Sequence, residues 1–319
     1  MISNFELLKK RAEINQSVRN FFTSLNFLEV ETPILSPDVI PESHIELFKT
    51  TMVSSYKDEK KDFYLLPSPE LWMKKLIAQG IGNIFQICKC FRNSEQTGRQ
   101  HSPEFSMLEY YAMYKDYNYS LKLTKALFQS LFEAFRPEYN ELPWNVISVR
   151  DAVCSTTGID IYRCRDVESL RSQAIAHGFD VSKGYDTWEE IFNRIFIERT
   201  EIDICSKGIT VLMDYPVQIP CLARKKLGTP YYERWEMYID GIEIANCYTE
   251  EPDADAVRGY YRQESEAKNK CAIVPVDVDM NFPDIFHSFP HCSGTALGMD
   301  RLVMILTGER DISNVISIH

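Results

Sequence analysis

The sequence predicts an α+β fold in which antiparallel strands carry polar chemistry beside amphipathic helices. Composition is the first ground: of 319 residues, 45% are apolar and 25% charged, enough hydrocarbon for a full core. Periodicity is the second. Segments 84–93, 103–111 and 235–246 alternate with the two-residue period of strands, whereas 5–25 and 302–306 follow a helical period. The third is turn chemistry, because Asp240-Gly241 is a strong two-residue hairpin signal between two of the alternating runs.

In chain order, Leu7, Leu8, Ile14, Val18, Phe21, Phe22 and Leu25, with the stem of Arg11, form one amphipathic helix. Residues 27–32 alternate like a strand that Pro33 stops. So little precedes that helix that no further module is expected ahead of it. Residues 34–63 read as loop, with the run Lys57–Asp62 a solvated turn. From about 116 to 230 the pattern is helical, with turns at Pro137, Pro143, Gly158 and Gly184, and without a catalytic signature. The expectation is a single domain over 1–319 with a mainly helical insertion near 140–200. Thirty-five basic against 46 acidic side chains leave a charge of −11, which disfavours broad nucleic-acid binding. Nine cysteines without a CxxC pair read as reduced thiols. No apolar run approaches the roughly 20 residues of a bilayer span, and no leader is evident, so a cytoplasmic protein without membrane contact is expected.

Polar groups stand on these strands where a buried strand should be apolar. Gln86, Cys88, Cys90 and Arg92 share one face of the first segment, and Phe105, Met107, Glu109 and Tyr111 share one face of the second. Joined by the loop 94–102, the two are simplest as antiparallel neighbours. In the third, the Asp240-Gly241 turn pairs Tyr238 with Glu243 and Glu236 with Ala245, making Glu236 and Glu243 diagonal neighbours. Two such carboxylates repel unless a cation lies between them, and hard oxygen ligands suit magnesium carrying a nucleotide phosphate. By the same parity Asn246 points away, unless the strand ends or bulges. In 292–306, Gly294 and Gly298 permit close approach, and Arg301 near the start of a buried helix suits an anion.

Taken together, the segment ending in Pro33, then Phe91-Arg92-Asn93 with His101-Ser102-Pro103-Glu104-Phe105, then Gly298-Met299-Asp300-Arg301, resembles motifs 1, 2 and 3 of class II aminoacyl-tRNA synthetases. Ser68-Pro69-Glu70, Met107–Tyr111 and Gly241–Asn246 narrow the resemblance to the lysyl branch. It implies a six- or seven-stranded antiparallel sheet flanked by helices, a homodimer formed through motif 1, and ATP as a substrate with Mg2+. Arg92 and Arg301 would be the catalytic pair. Arg92 would hold the α-phosphate, Ser94 or Glu95 the ribose or adenine side, His101 the outer phosphates, and Phe105 the adenine. Arg301 would cover the other face of the adenine or the γ-phosphate. Asn93, Ser102, Ile244 and Gly298 would complete the nucleotide site with Glu243, and Glu236 and Glu243 would hold the metal. Ser68, Pro69, Glu70, Glu109, Tyr111, Asn246, Glu250 and Ala296 would read the amino acid.

Without an anticodon-binding barrel, the chain is most similar to the elongation factor P (R)-β-lysine ligases, a group resembling the lysyl synthetase catalytic domain. Ala296 carries the small extra methyl of that group. The resemblance implies activation of (R)-β-lysine or lysine as an adenylate and transfer to a lysine of elongation factor P, with tRNA an unlikely acceptor. A stand-alone lysine-tRNA ligase and a silent regulatory paralogue are the alternatives. Departures from the pattern are a loop at 94–100 longer by one residue, Ser94 for glutamate, Ser102 for asparagine, and Cys247-Tyr248-Thr249 for a glycine-led turn.

Overall fold

A hydrophobic stripe at Leu7, Ile14, Val18 and Phe22 winds the chain into α1 (Phe5–Ser24), and Asn26, at φ 60°, turns it out again. The computed structural model describes residues 5–53, 60–94, 98–206 and 208–316. Along them follow β1 (Leu28–Glu29), β2 (Leu35–Ser36), β3 (Phe48–Val53), β4 (Lys60–Leu65), α2 (Glu70–Ala78), β5 (Ile84–Phe91), β6 (Glu104–Met113) and α3 (Tyr117–Phe135). Next come β7 (Trp144–Ser148), α4 (Val149–Thr157), α5 (Val167–Ala176), α6 (Trp188–Ile195), β8 (Ile209–Met213), β9 (Arg234–Ile239) and β10 (Ile242–Thr249). The chain closes with α7 (Ala254–Cys271), β11 (Cys292–Gly298) and α8 (Met299–Thr307).

The main sheet runs β1-β5-β6-β11-β10-β9-β8-β7. Its six central strands are antiparallel, as expected, but β1 lies parallel to β5 and β7 parallel to β8, widening the sheet to eight. Parallel neighbours need long crossovers, and both are present: β2 to α2 links β1 to β5, and α4 to α6 links β7 to β8. The strand expected over 27–32 pairs only at Leu28 and Glu29.

Two expectations fail. Residues 34–63 are not simply loop, because β2, β4 and β3 form a second sheet. Its strands carry lysines and acids on exposed positions, with Lys49 and Asp62 ion-paired at 2.7 Å, so charge masked the alternation. Of the run 57–62, Lys60, Lys61 and Asp62 lie in β4, and 57–59 fall outside the described residues. Likewise 116–230 contains the strands β7 and β8 besides its helices.

The pleat divides the main sheet. Phe85, Leu108, Tyr110, Ala112, Trp235, Met237 and Leu297 point to one face, where α1, α3 and α8 bury them. Phe22 of α1 centres this core, its ring 5.1 Å from Phe85 and 4.9 Å from Tyr110. A separate apolar cluster joins α4, α5 and α6 to Leu212, Tyr215 and Tyr238 beside the sheet edge. Gln86, Met107, Glu109 and Tyr111 stand on the opposite face from Tyr110.

One charged contact crosses the apolar face. Arg11 of α1 lies 2.6 Å from the buried Asp300 of α8, and donates to Ser106 Oγ at 3.0 Å and to the Val315 carbonyl at 3.1 Å. Asp300 also accepts the Ser106 amide at 2.6 Å. Arg11→Ala leaves that carboxylate buried without its counter-charge, so urea unfolding should show a loss of about 3–5 kcal/mol.

Candidate active site

Register sets a row of side chains across the polar face. Gln86, Glu109, Ala296, Asn246 and Glu236 stand opposite one another on β5, β6, β11, β10 and β9. In the next row are Ile84, Tyr111, Gly294, Tyr248 and Arg234. The pairing of Arg92's strand with Glu109's strand is therefore as the alternation predicts.

The β9–β10 hairpin differs in one respect. Asp240 and Gly241 take φ 49° and 81°, and Tyr238 pairs with Glu243 as predicted. The register then shifts between Glu243 and Ala245, so Glu236 faces Asn246 instead of Ala245. One extra residue flips the parity of everything beyond it. Asn246 is thereby turned into the site, where it accepts from Arg234 Nε at 3.2 Å and donates to Tyr248 Oη at 3.3 Å.

Above β6, β10 and β11 lies a cavity of about 220 Å³, open to solvent. Arg92, His101, Ser102, Phe105, Glu243, Ile244, Asn246, Ala296, Gly298 and Arg301 all line it. Arg92 sits over the Phe105 ring at 5.3 Å, and its Nε is buried without a hydrogen-bond partner among the described residues. A buried guanidinium donor left open in this way suits an anion. Arg301 donates to the carbonyls of Gln100 (3.2 Å) and Glu243 (2.8 Å), and its Nη2 lies 3.3 Å from the His101 ring. Asn93 and Ser94 are outside this cavity; they wall an adjoining one with Arg92 and His101. Glu95 lies outside the described residues.

Beside the cavity is a cluster of carboxylates. Glu109 accepts from Ser68 Oγ at 2.5 Å and from Tyr111 Oη at 3.2 Å. Burial first, and the charge of Glu70 second, push its carboxyl well above the usual range. Ser68 also accepts the Glu70 amide at 3.0 Å, and Pro69 stands at the N-cap of α2, so the turn aims Ser68 at Glu109 of β6 and starts the helix at Glu70. The turn carries Glu70 four residues ahead of Lys74, which the sequence reading overlooked. Lys74 is fully buried, with its ammonium 2.5 Å from Glu70 and 2.7 Å from Glu250. Burial alone would lower the Lys74 pKa, but Glu250 and Glu70 hold it above its ordinary value. Glu250 is itself raised to about 7 by burial, against the pull of Lys74. Helical i,i+4 spacing was the signal that could have exposed Lys74.

Gly294 makes room for this cluster. A β-carbon there would stand 2.4 Å from Glu250 Oε1 and 2.5 Å from the Tyr111 ring.

The two carboxylates of the hairpin have different surroundings. Glu236 accepts from Tyr215 Oη at 2.5 Å and Tyr238 Oη at 2.9 Å, and is ion-paired with Arg234. Arg234, two residues before Glu236 on the same strand face, is a second residue overlooked in the sequence. Glu243 has no hydrogen bond to its carboxylate among the described residues, and burial with the charge of Glu236 raises it to about 7. The Glu236 carboxylate is thus paired with Arg234, whereas that of Glu243 has no ion pair among the described residues. Among the described residues no group of three or more potential metal ligands occurs.

A family model described as tRNA synthetases class II (D, K and N) matches residues 3–318. The chain belongs to that family. Within it, this class II protein is 31% identical over 317 residues to an elongation factor P–(R)-β-lysine ligase of Avibacterium paragallinarum, covering 99% of this chain and 95% of the relative. The ligase of the same name from Yersinia enterocolitica is 33% identical over 317 residues, covering 97% and 94%. That from Haemophilus ducreyi is 30% identical, covering 99% and 94%. Among the described residues of this class II chain, no helix is long and apolar enough to cross a membrane.

The raised Glu243 carboxyl predicts a pH effect. Its folded pKa lies above the unfolded value of 4.5, so its stabilising contribution is full below that value and is lost as pH rises towards 7. In urea unfolding of the ligand-free protein between about pH 4 and pH 8, Glu243→Gln should remove on the order of 2 kcal/mol of that decline.

Proposed function

We propose that this chain uses ATP to activate (R)-β-lysine, or lysine, as an aminoacyl-adenylate and transfers it to a lysine side chain of elongation factor P. The observation that carries the reading is a cavity walled by Arg92 and Arg301 beside a cluster of three carboxyls, Glu70, Glu109 and Glu250, the second of them opposite Ala296 of the cavity wall. An anion on one side and an ammonium on the other is what adenylation of a diamino acid requires. The printed names of the relatives support the same substrate and acceptor.

The amino acid's carboxylate is a competent nucleophile, so adenylation needs alignment and charge neutralisation in place of a general base. It attacks the α-phosphorus, the bond to the outer phosphates breaks, and pyrophosphate leaves. Arg92, with its open Nε, is placed to take the charge that grows on the α-phosphate. Arg301, anchored on the backbone of Gln100 and Glu243, would meet the outer phosphates or the adenine together with His101. Phe105 offers the adenine a ring, and Asn93, Ser94, Ser102, Ile244 and Gly298 bound the nucleotide. Magnesium, when bound, would neutralise phosphate charge at Glu243, with Glu236 adding its charge from behind.

In the amino-acid pocket a desolvated ammonium needs charged acceptors. Lys74 answers Glu70 and Glu250, and the raised Glu109 carboxyl would gain from a substrate ammonium beside it. Ser68 and Tyr111 orient Glu109; Asn246 and Ala296 form the floor between Glu109 and Glu236.

A net charge of −11 supports a protein acceptor over tRNA. Exposed Leu25, Leu28, Ile34 and Leu35 around motif 1 support a homodimer. The eight cysteines whose side chains are described are all free thiols, which supports a cytoplasmic location.

With ATP and magnesium, pyrophosphate exchange should depend on (R)-β-lysine or lysine, and mass spectrometry should find the corresponding increment on elongation factor P. Exchange with neither isomer would overturn the reading. Arg92→Ala should lower kcat for exchange by about 10²–10³-fold. Gly294→Ala should raise KM for the amino acid at least tenfold, because Glu250 and Tyr111 must move, while KM for ATP changes little.

A further inference from the structure

Beside the cavity proposed for the nucleotide, a second cavity adjoins Arg92 and His101. Its remaining walls are His44, Ile45, Glu46, Asn93 and Ser94. Arg92 and His101 line both cavities, so the second one opens beside the phosphate that would carry the activated acyl group. An acceptor amine needs such an approach, and it also needs to lose a proton. A lysine side chain arrives as an ammonium, which has no lone pair with which to attack.

We propose that His44, oriented by Glu189, is the base that deprotonates the acceptor amine in the transfer step. This rests on the function proposed above. His44 Nε2 lies 3.6 Å from Glu189 Oε1 of α6, which leaves the other ring nitrogen for a substrate. The ring is exposed, as a group that must meet a second macromolecule has to be.

Its backbone is held on both sides. The Ser43 amide donates to Glu264 of α7 at 2.8 Å, and Lys268 donates to the carbonyls of Glu42 (3.0 Å) and Ile45. Glu46 accepts the amides of Ile273 (2.9 Å) and Val274 (3.2 Å), and its own carbonyl accepts the Asn93 amide at 2.9 Å. The last contact fixes the His44 segment directly to the residue after Arg92. An imidazole backed by a carboxylate, on a pinned segment beside a reaction centre, is the arrangement general bases use.

The charges around the ring favour this role. Its pairing with Glu189 raises the His44 pKa above the ordinary value, and the charges of Glu264 and Glu190 add to the rise. Glu46, Arg92 and His101 face it across the cavity. In the step itself, neutral His44 takes one proton from the acceptor ammonium. The freed amine attacks the acyl carbon, a C–N bond forms, and the bond from that carbon to the phosphate oxygen breaks with AMP carrying away the electron pair. The second amine proton leaves the tetrahedral adduct to solvent.

Single-turnover transfer from preformed adenylate to elongation factor P tests the proposal, with hydroxylamine trapping of the same adenylate as reference. Hydroxylamine is already neutral at neutral pH and needs no base. His44→Gln should lower the ratio of protein transfer to hydroxylamine trapping by about 100-fold, and added imidazole should restore part of it. In the wild type, transfer should rise with pH as His44 loses its proton. Glu189→Gln lowers the His44 pKa and should move that limb to lower pH. An unchanged ratio and unchanged pH profile in His44→Gln would overturn the assignment. If the wild type leaves elongation factor P unmodified, the preceding reading fails instead; the same comparison with Nα-acetyllysine as acceptor then decides the role of His44.

Discussion

Everything at this site depends on the pleat of one antiparallel sheet, which sends hydrocarbon to one side and charge to the other. Tyr110 points into the core with Phe22, while its neighbours Glu109 and Tyr111 point to the opposite face. The helices α1, α3 and α8 seal the first face, so the second is free to collect groups that would be ruinous in a core. The sheet tolerates them because each is answered locally: Glu109 by Ser68 and Tyr111, Glu236 by Arg234 and two tyrosines, Glu70 and Glu250 by Lys74.

The residues left unanswered mark where ligands would bind. Arg92 keeps a buried nitrogen without a partner, and no hydrogen bond among the described residues holds the Glu243 carboxylate. One is a donor and the other an acceptor, and they line the same cavity. A nucleotide with its cation would satisfy both at once, which a lone anion would not.

Much of this was legible in the residue order. Alternation over 84–93 and 103–111 paired Arg92's strand with Glu109's, and Asp240-Gly241 located a hairpin whose first pairs are as predicted. The register shift beyond Glu243 was not legible, because nothing in Glu243-Ile244-Ala245 announces an extra residue, and with it the inward turn of Asn246 stayed open. Lys74 and Arg234 were missed for a different reason. Both were legible as neighbours of Glu70 and Glu236, by helical and strand spacing respectively, but a basic residue beside an acidic one reads as solvated surface until burial is known. The second sheet was hidden by the lysines and acids on its open face.

Asp300 and Arg301 are consecutive and both border the cavity, yet their side chains turn to different partners. Asp300 reaches Arg11 on the first helix of the chain, and Arg301 reaches the cavity by way of Glu243 and His101. A single turn of α8 thus ties the first helix of the chain to the cavity wall, and it cannot rotate to suit one partner without disturbing the other. Whatever shifts α1 therefore also bears on the angle at which the Arg301 guanidinium enters the cavity.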